Sequence, residues 1–366
     1  MATTSTANKN PRMPYRFLGN SGLLVSKLSL GSWMDFDDQF TPDAWFAMMK
    51  MAFEHGINLF DNAEIYGRGQ AERNMGTAIK EGVHEGVWSR EDLVITTKIF
   101  YGSLGFPEGP FGKGPASGLP SNAQGLSRKH IVEGTKASLE RLQLEYVDVI
   151  FCHRADAFTP IEETVRAMNF VIQQGWAFYW GTSSWSAAQI VEACEIADRL
   201  GLARPIVEQP EYNLIERNMV EFEYVDLYKK YKLGLTTWSP LGFGTLTGKY
   251  SSGGASDGAR LRTPEWSAVV PDFAERVAKA EKLKPIAEAL GIPMALLAIA
   301  WCVCNDNVTT VLLGAKTPAQ LAQNLQALDV LPKLTRDVKD KIEAALPFVP
   351  HAQEKDWASH MRQRHL

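Results

Sequence analysis

The architecture of this chain can be worked out from the run INLFDNAEIYG at residues 57–67. Its first part, Ile57–Phe60, is mostly apolar, as in a strand that is buried on both faces of a parallel sheet. Asp61 ends this apolar run, and Tyr66 follows five residues later. A charged residue at the carboxyl end of a strand is typical of the catalytic face of a barrel of alternating strands and helices. The run therefore predicts a buried parallel strand with a functional site at its end.

Two later strands are predicted to end in the same way. The run Leu93–Thr97 leads into Lys98, and the run Val147–Cys152 leads into His153. Because the carboxyl ends of the strands meet at one end of such a barrel, a carboxylate, a phenol, an ammonium group and an imidazole are expected there together. The candidate catalytic residues are Asp61, Tyr66, Lys98 and His153.

Each of these four residues has a simpler interpretation when it is taken alone. A lysine after a strand is more often exposed to solvent than catalytic, and an aspartate often only caps a turn. Tyr66 could be a packing residue, and His153 could be a structural histidine with satisfied hydrogen bonds. Their order at the ends of three strands favours the catalytic interpretation.

Strand and helix patterns alternate along the whole chain. A hairpin is expected over residues 15–25, and roughly eight strand–helix units with a surplus helix follow it. This count favours an α/β fold, a closed (β/α)8 TIM barrel with an N-terminal hairpin and one or two extra helices. The early Gly-x-Gly-x-x-Gly of an open dinucleotide-binding sheet is missing. We predict one barrel domain over residues 14–349, between a flexible N-terminal tail at 1–13 and a C-terminal tail at 350–366.

Two glycine-rich loops interrupt the alternation. Residues 101–126 are dense in glycine, proline and serine. A loop of this length in a compact domain is usually a lid or a binding loop, or else disordered. Residues 239–264 contain six glycines, which allow a backbone to wrap closely around a ligand. The first loop is expected over the site, and the second is expected to clamp a cofactor.

The composition excludes several classes of protein. With 45% hydrophobic and 22% charged residues the chain can build a large core, and a net charge of −4 with scattered basic residues does not favour nucleic acid as a partner. The four cysteines have neither a disulfide framework nor zinc-ligand spacing, so no metal site is predicted. The N-terminus is polar, and no apolar run reaches the roughly 18 residues of a membrane span. We expect a soluble, cytoplasmic protein without direct membrane insertion.

Several motifs follow one another along the chain. They are Asp61–Gly67, Lys98, Cys152–His153, Trp180–Ser183, Gln209, Trp238–Leu241 and Val311–Ala315. Together they resemble the aldo-keto reductases. Residues 125–131, 137–148 and 159–168 are closer to the branch of that family that contains the voltage-gated potassium channel beta subunits. The resemblance covers about residues 14–333, which is nearly the whole chain.

This resemblance implies a barrel fold, NADPH as the cofactor and the reduction of aldehydes and ketones. It also implies that Asp61, Tyr66, Lys98 and His153 form the catalytic group. At matching positions, the implied cofactor-binding residues are Ser32, Trp33, Gln39, Asp61, Ser183, Gln209, Trp238, Ser239, Pro240, Leu241, Gly242, Lys249, Arg260, Gly314, Lys316, Gln320, Gln323 and Asn324.

The chain departs from the channel beta subunits at several positions. His153 stands where they commonly carry asparagine, so this position looks more like that of the ordinary reductases. Ser184 stands where the relatives use arginine or asparagine to contact the nicotinamide carboxamide. Gln323 replaces a glutamate and Lys316 replaces a serine, and the added positive charge should favour NADPH over NADH. The loop at 101–126 has no counterpart of that length among them.

A carbonyl reduced by hydride becomes an alkoxide that needs a proton from an acid within hydrogen-bond reach. We expect Lys98 to lower the pKa of Tyr66, and Asp61 to keep Lys98 charged and in place. A neutral His153 can donate to the carbonyl oxygen. The main hypothesis is an NADPH-dependent carbonyl reductase for small aldehydes or ketones, with Tyr66 as the general acid.

The alternative hypothesis is a cofactor-binding regulatory beta subunit of a voltage-gated potassium channel with weak or vestigial reductase activity. His153 and the loop at 101–126 count against it, so a channel partner is not favoured. A barrel hydrolase would need a pair of carboxylates, and Asp61 beside Lys98 is the wrong pair. The branch also implies a homo-oligomer, with a tetramer as the expected form.

Overall fold

The computed structural model describes residues 13–33, 41–105, 120–250, 270, 272–352 and 357–365. Two predicted cofactor residues, Gln39 and Arg260, lie outside these ranges. The predicted loops at 101–126 and 239–264 are therefore described only in part.

Eight parallel strands close into a barrel, which confirms the predicted fold class. Each strand pairs with its sequence neighbours, and the last strand pairs with the first. The strands are β3 (Leu28–Gly31), β4 (Leu59–Asp61), β5 (Val94–Ile99), β6 (Val147–Cys152), β7 (Ala177–Thr182), β8 (Val207–Glu208), β9 (Gly234–Thr237) and β10 (Thr310–Leu313).

The predicted N-terminal hairpin is present. It consists of the antiparallel strands β1 (Tyr15–Phe17) and β2 (Leu24–Ser26). Leu18 and Val25 are buried in one cluster with inward-facing strand residues such as Val149, so the hairpin packs against the interior of the barrel. The hairpin therefore lies at the end of the barrel opposite the carboxyl ends of the strands.

Helices surround the barrel. They are α1 (Pro42–Glu54), α2 (Gln70–His84), α3 (Arg128–Leu142), α4 (Ile161–Gln173), α5 (Ala187–Leu200), α6 (Val225–Tyr231), α7 (Phe273–Glu281), α8 (Lys284–Leu290), α9 (Met294–Val303), α10 (Pro318–Leu325) and α11 (Arg336–Ala345). Several begin at side-chain caps: Ser127 accepts from the His130 amide at 3.2 Å, and Thr41 accepts from the Ala44 amide at 3.2 Å. Such caps satisfy amides that have no partner inside the helix.

Two short helices, α7 and α8, are separated by only two residues. The helix α7 ends at Glu281 and α8 begins at Lys284. Pro285 lies in the first turn of α8. Proline has no amide to donate to the preceding turn and is tolerated where a helix begins, so it restarts the helix here.

The alternation of side chains along the strands decides which residues reach the site. In β6, Val149 and Phe151 belong to the cluster inside the barrel, whereas Ile150 and Cys152 belong to the large cluster between the strands and the helices. Side chains two residues apart share a face of a strand. His153 therefore continues the inward-facing row at the end of β6.

The C-terminal residues also pack against the barrel. A 3-10 helix covers Trp357–His365, and its Ala358 and Met361 are buried in the large hydrophobic cluster. Arg362 Nη1 lies 3.1 Å from Asp156 Oδ2, three residues beyond His153. The segment predicted as a C-terminal tail thus contacts the loop that follows β6, while the domain boundaries at residues 14 and 349 stay predictions.

Within the described ranges, no helix taken singly has the length and apolar composition of a membrane span. That length and composition are met only by two neighbouring helical segments counted together, Phe273–Leu290 and Met294–Val303. A bend of 94° separates them.

Candidate active site

The fully buried Lys98 lies at the centre of the candidate site, near the end of β5. Its Nζ is 2.5 Å from Asp61 Oδ2 and 3.3 Å from the Tyr66 hydroxyl. The same ammonium donates to the main-chain carbonyl of Asn62 at 2.7 Å. The structure therefore brings three of the four predicted catalytic residues into direct contact.

Further hydrogen bonds hold the Asp61 carboxylate. Its Oδ1 accepts from Thr96 Oγ1 at 2.6 Å and from Gln209 Nε2 at 3.1 Å, while its Oδ2 faces Lys98. All of these groups are buried. Sequence reasoning missed Thr96. Its position two residues before Lys98 on the same strand indicates that the two side chains share a face. Two bonds on one oxygen and an ion pair on the other leave the carboxylate little freedom to rotate.

His153 completes the group at the end of β6. Its ring packs edge-on against Tyr66, with centroids 5.7 Å apart, and against Tyr101, with centroids 4.9 Å apart. Its Nδ1 is buried and has no hydrogen-bond partner among the described residues. Burial, Arg154 and Lys98 hold the pKa of His153 well below its usual value. The imidazole is therefore neutral near pH 7, as predicted. Sequence reasoning did not identify Tyr101.

The prediction that the pKa of Tyr66 is lowered overall is wrong. Burial and the nearby Asp61 carboxylate raise the pKa of Tyr66 well above its ordinary value. Burial opposes charge on the phenolate, and here burial and Asp61 outweigh the attraction of Arg154. Tyr66 is thus a neutral phenol that keeps its proton.

The same burial acts on Lys98. It lowers the pKa of the ammonium group, while the charge of Asp61 and its hydrogen bond act in the opposite direction. A buried lysine stays charged only when a partner compensates for the lost water. Asp61 is that partner.

Three of the predicted cofactor residues border Asp61 at the mouth of the barrel. Ser32 Oγ, after β3, donates to the Asp61 carbonyl at 3.1 Å. Ser183 Oγ, after β7, donates to the carbonyl of Gln209 at 2.8 Å. Gln209 also donates to Thr236 Oγ1 at 3.2 Å, in addition to its bond with Asp61. The ends of β3, β7 and β8 thus supply polar groups to one place.

A tightly wound turn follows β9 and carries the predicted residues Trp238 to Gly242. Ser239 has a φ of 57° and Phe243 a φ of 56°, and the Ser239 hydroxyl accepts from the Phe243 amide at 3.0 Å. The Phe243 ring lies between Trp33 and Trp238, with centroids 6.1 Å from each. Sequence reasoning missed Phe243. The turn places an aromatic group beside the mouth of the barrel.

The backbone conformation favours glycine where this turn meets Lys249. Gly244 has a φ of 92°, and a Cβ there would lie 2.8 Å from Lys249 Nζ. Residues with a side chain rarely adopt that backbone conformation, so a substitution at Gly244 would strain the turn. The end of the predicted phosphate-binding residue Lys249 thus lies against this turn.

The remaining predicted residues run from the end of β10 into α10. The Lys316 amide donates to Gln320 Oε1 at 2.8 Å, and Asn324 Nδ2 donates to the Gly314 carbonyl at 3.4 Å. Lys316, Gln320 and Gln323 are exposed. A cation and a helix N-terminus together suit a phosphate group. The binding roles of these residues stay predictions.

A family model described as Aldo/keto reductase family matches residues 27–347. The chain belongs to the aldo/keto reductase family. This confirms the resemblance found in the sequence, and it places the chain in a family of oxidoreductases that generally use NAD(P)H.

Two relatives of this aldo/keto reductase are probable voltage-gated potassium channel beta subunits. The one from Arabidopsis thaliana is 50% identical over 347 residues, which are 93% of this chain and 99% of the relative. The one from Oryza sativa subsp. japonica is 49% identical over 347 residues, again 93% of this chain and 99% of the relative. The predicted likeness to this branch is thus confirmed.

Proposed function

We propose that this aldo/keto reductase is an NADPH-dependent carbonyl reductase that acts on small aldehydes or ketones. The observation that carries the proposal is the contact of Lys98 Nζ with both the Tyr66 hydroxyl and the Asp61 carboxylate, at 3.3 and 2.5 Å. A phenol beside a buried cation is an acid that can give up its proton when a strong base forms next to it. A nascent alkoxide is such a base.

Tyr66 acts as the general acid in this proposal. Its raised pKa keeps the hydroxyl protonated until an alkoxide appears. Lys98 then stabilises the phenolate as it forms, because an opposite charge at short range favours the ionised group. NADPH supplies the hydride when it is bound.

His153 positions the carbonyl group. Its low pKa keeps the ring neutral, with one nitrogen as a donor and the other as an acceptor. The unpartnered Nδ1 shows that the imidazole does not satisfy all of its hydrogen bonds within the described protein. In this proposal the neutral ring donates a hydrogen bond to the carbonyl oxygen of the substrate.

The residues present fit NADPH. Ser183 and Gln209 would hold the nicotinamide carboxamide, and Trp238 offers an aromatic face for the ring. Lys249 and Lys316 would meet the phosphates, together with Arg260, which lies outside the described residues. The phosphate site near the last strands of such barrels is a recurrent feature of the fold. The positive charge at Lys316 supports NADPH over NADH.

The test is NADPH oxidation over a panel of aldehydes and ketones, with NADH in parallel. We expect turnover of at least one carbonyl class with NADPH, and clearly less with NADH at the same concentration. A protein that binds NADPH but reduces no carbonyl would contradict the enzymatic proposal.

One finding favours the alternative, a cytoplasmic regulatory subunit of a potassium channel. Proteins with that probable role share 50% and 49% identity with this chain over 93% of its length. A pull-down with the cytoplasmic part of a voltage-gated potassium channel tests this function, and light scattering tests the homo-oligomer that goes with it. Channel binding without turnover would make the alternative the main function.

A further inference from the structure

Glu208 is a buried carboxyl group that the proposed reaction does not use. It is the last residue of β8 and is fully buried. Its neighbour Val207 belongs to the cluster inside the barrel, and its other neighbour Gln209 contacts Asp61. Because side chains alternate along a strand, Glu208 points outward, behind the mouth of the barrel.

Both oxygens of this carboxyl group hold the end of β7. Oε2 accepts from Thr182 Oγ1 at 2.5 Å, and Oε1 accepts from the Ser184 amide. Ser184 has a φ of 55°, the left-handed conformation that side chains rarely adopt. The bond from its amide to Glu208 therefore stabilises a strained turn. Ser183, which we place at the nicotinamide carboxamide, is the residue directly before it.

We propose that Glu208 is a positioning residue that fixes the Ser183–Ser184 turn and, through its charge, makes the preference for oxidised over reduced cofactor depend on pH. The inference rests on the proposed cofactor site. The oxidised nicotinamide ring carries a positive charge, and the reduced ring is neutral. An ionised carboxylate behind the turn attracts only the charged ring.

The environment of Glu208 allows its charge to change near neutral pH. Burial raises the pKa of Glu208 to about 7, against its hydrogen bonds and the nearby Arg154. Tyr224 and Tyr228 face it from the helix side, and Cys152 faces it from β6. Burial raises the pKa of each of these three groups, so all of them stay neutral. Glu208 is then the member of this group that titrates between pH 6 and 8.

The first experiment measures the dissociation constants of NADP+ and NADPH from pH 6 to 8 by calorimetry. Their ratio cancels the titration of the 2′-phosphate, which both nucleotides carry. For the unmodified protein we expect the ratio to move roughly three- to tenfold towards NADP+ as the pH rises. In Glu208→Gln the ratio should stay constant, because the amide keeps an acceptor for Ser184 and cannot ionise.

Glu223→Gln is the matched control. Glu223 Oε1 accepts from the Ala187 amide at 3.1 Å at the start of α5, so it is also a carboxylate that caps a backbone group in this region. It is only half-buried. In this variant the ratio of the NADP+ and NADPH dissociation constants should change with pH as it does in the unmodified protein.

Two further measurements keep the inference testable if Glu208→Gln folds poorly. Binding of NADP+ to the unmodified protein at pH 7 should release more protons than binding of NADPH, as read from calorimetry in two buffers of different ionisation enthalpy. The raised pKa also predicts that Glu208 stabilises the folded protein at low pH, and that this contribution is lost as the pH rises through about 7.

The outcomes separate this inference from the proposed function. If the unmodified protein binds neither nucleotide, both the proposed function and the inference are overturned. If both nucleotides bind with a ratio that does not change with pH, or if Glu208→Gln keeps the change, only the role of Glu208 is overturned.

Discussion

Lys98 lies where no solvent reaches it, and the surrounding residues offset the cost of burying its ammonium group. Its ammonium is 2.5 Å from the Asp61 carboxylate, which Thr96 and Gln209 hold from the other side. The sequence identified the lysine and the aspartate from their positions at strand ends. It could not give the protonation of Tyr66, because that depends on how fully the hydroxyl is buried.

Replacing Tyr66 by phenylalanine tests the general acid. Removal of a positioned proton donor costs about 10²- to 10⁴-fold in turnover, so we expect kcat to fall by at least about 100-fold. NADPH affinity, measured by fluorescence titration, should stay within about twofold, since the ring is kept. Tyr15→Phe is the control, because it loses a hydroxyl bond to the Gly56 carbonyl at the N-terminal hairpin. Equal turnover in the two variants would remove Tyr66 from the proposed role.

Replacing Lys98 by methionine tests the buried ion pair. Asp61 would then be a buried charge without its partner, so the free energy of unfolding should fall by about 3–5 kcal/mol. Urea denaturation measures it. Adding Asp61→Asn should recover part of the loss, since the uncompensated charge is gone. If the loss of unfolding free energy in the double variant equals the sum of the losses in the two single variants, Lys98 and Asp61 have no interaction energy.

The hairpin shows how an element far from the chemistry is fixed by one backbone position. Gly19 has a φ of 59°, and a Cβ there would lie 1.9 Å from the Ile206 carbonyl oxygen and 2.8 Å from the Gly234 amide. The hairpin turn therefore touches the starts of two barrel strands. The sequence predicted the hairpin from its turn residues, but only the structure shows which glycine is indispensable.

Gly19→Ala and Gly22→Ala form a matched pair of variants. At Gly22 a Cβ would meet nothing within 4 Å. We expect Gly19→Ala to lower the free energy of unfolding by more than about 2 kcal/mol, through a clash and left-handed strain, and Gly22→Ala to change it by less than about 0.5 kcal/mol. Thermal or urea unfolding measures both changes. Similar stabilities of the two variants would refute the close contact of Gly19 with Ile206 and Gly234.

Arg362→Ala tests the attachment of the C-terminal 3-10 helix. Arg362 Nη1 contacts Asp156 Oδ2 at 3.1 Å and Thr159 Oγ1 at 3.3 Å. Asp156 Oδ2 also accepts from the Leu126 amide at 2.8 Å, so the contact joins the loops that follow β5 and β6. We expect faster amide exchange in residues 357–365 and a higher KM for carbonyl substrates, with NADPH affinity unchanged. In Arg362→Lys, the exchange rate and the KM should lie between those of the unmodified protein and of Arg362→Ala. Unchanged amide exchange in Arg362→Ala would show that the buried Ala358 and Met361 are enough to hold the 3-10 helix on the barrel.

At the scale of the whole molecule, the barrel fold leaves two functions open for a member of this family. The relatives share about half of their residues with this chain over nearly its full length, and their names state a probable role in potassium channels. His153 and the contacts around Lys98 support catalysis. Turnover and channel binding are separate measurements, so both functions can be present in one protein.

Cofactor binding should stabilise the whole barrel, because the predicted binding residues come from strands across its mouth. A ligand at 100 times its dissociation constant adds about 2.7 kcal/mol to the free energy of unfolding. We therefore expect NADPH to raise Tm by several degrees, and NADH at the same concentration to raise it less. Differential scanning fluorimetry gives both values. Equal shifts would contradict the role assigned to the cation at Lys316.

The amino-acid sequence was sufficient for the barrel, the hairpin and the candidates at the strand ends, because periodicity, turn residues and the ends of apolar runs are local properties. The break between α7 and α8 also has a local cause, the proline in the first turn of α8. Tertiary structure alone decided the high pKa of Tyr66, the outward burial of Glu208 and the docking of Arg362 on Asp156. These features depend on burial and on contacts between residues far apart in the chain, and neither can be read from a single run of residues.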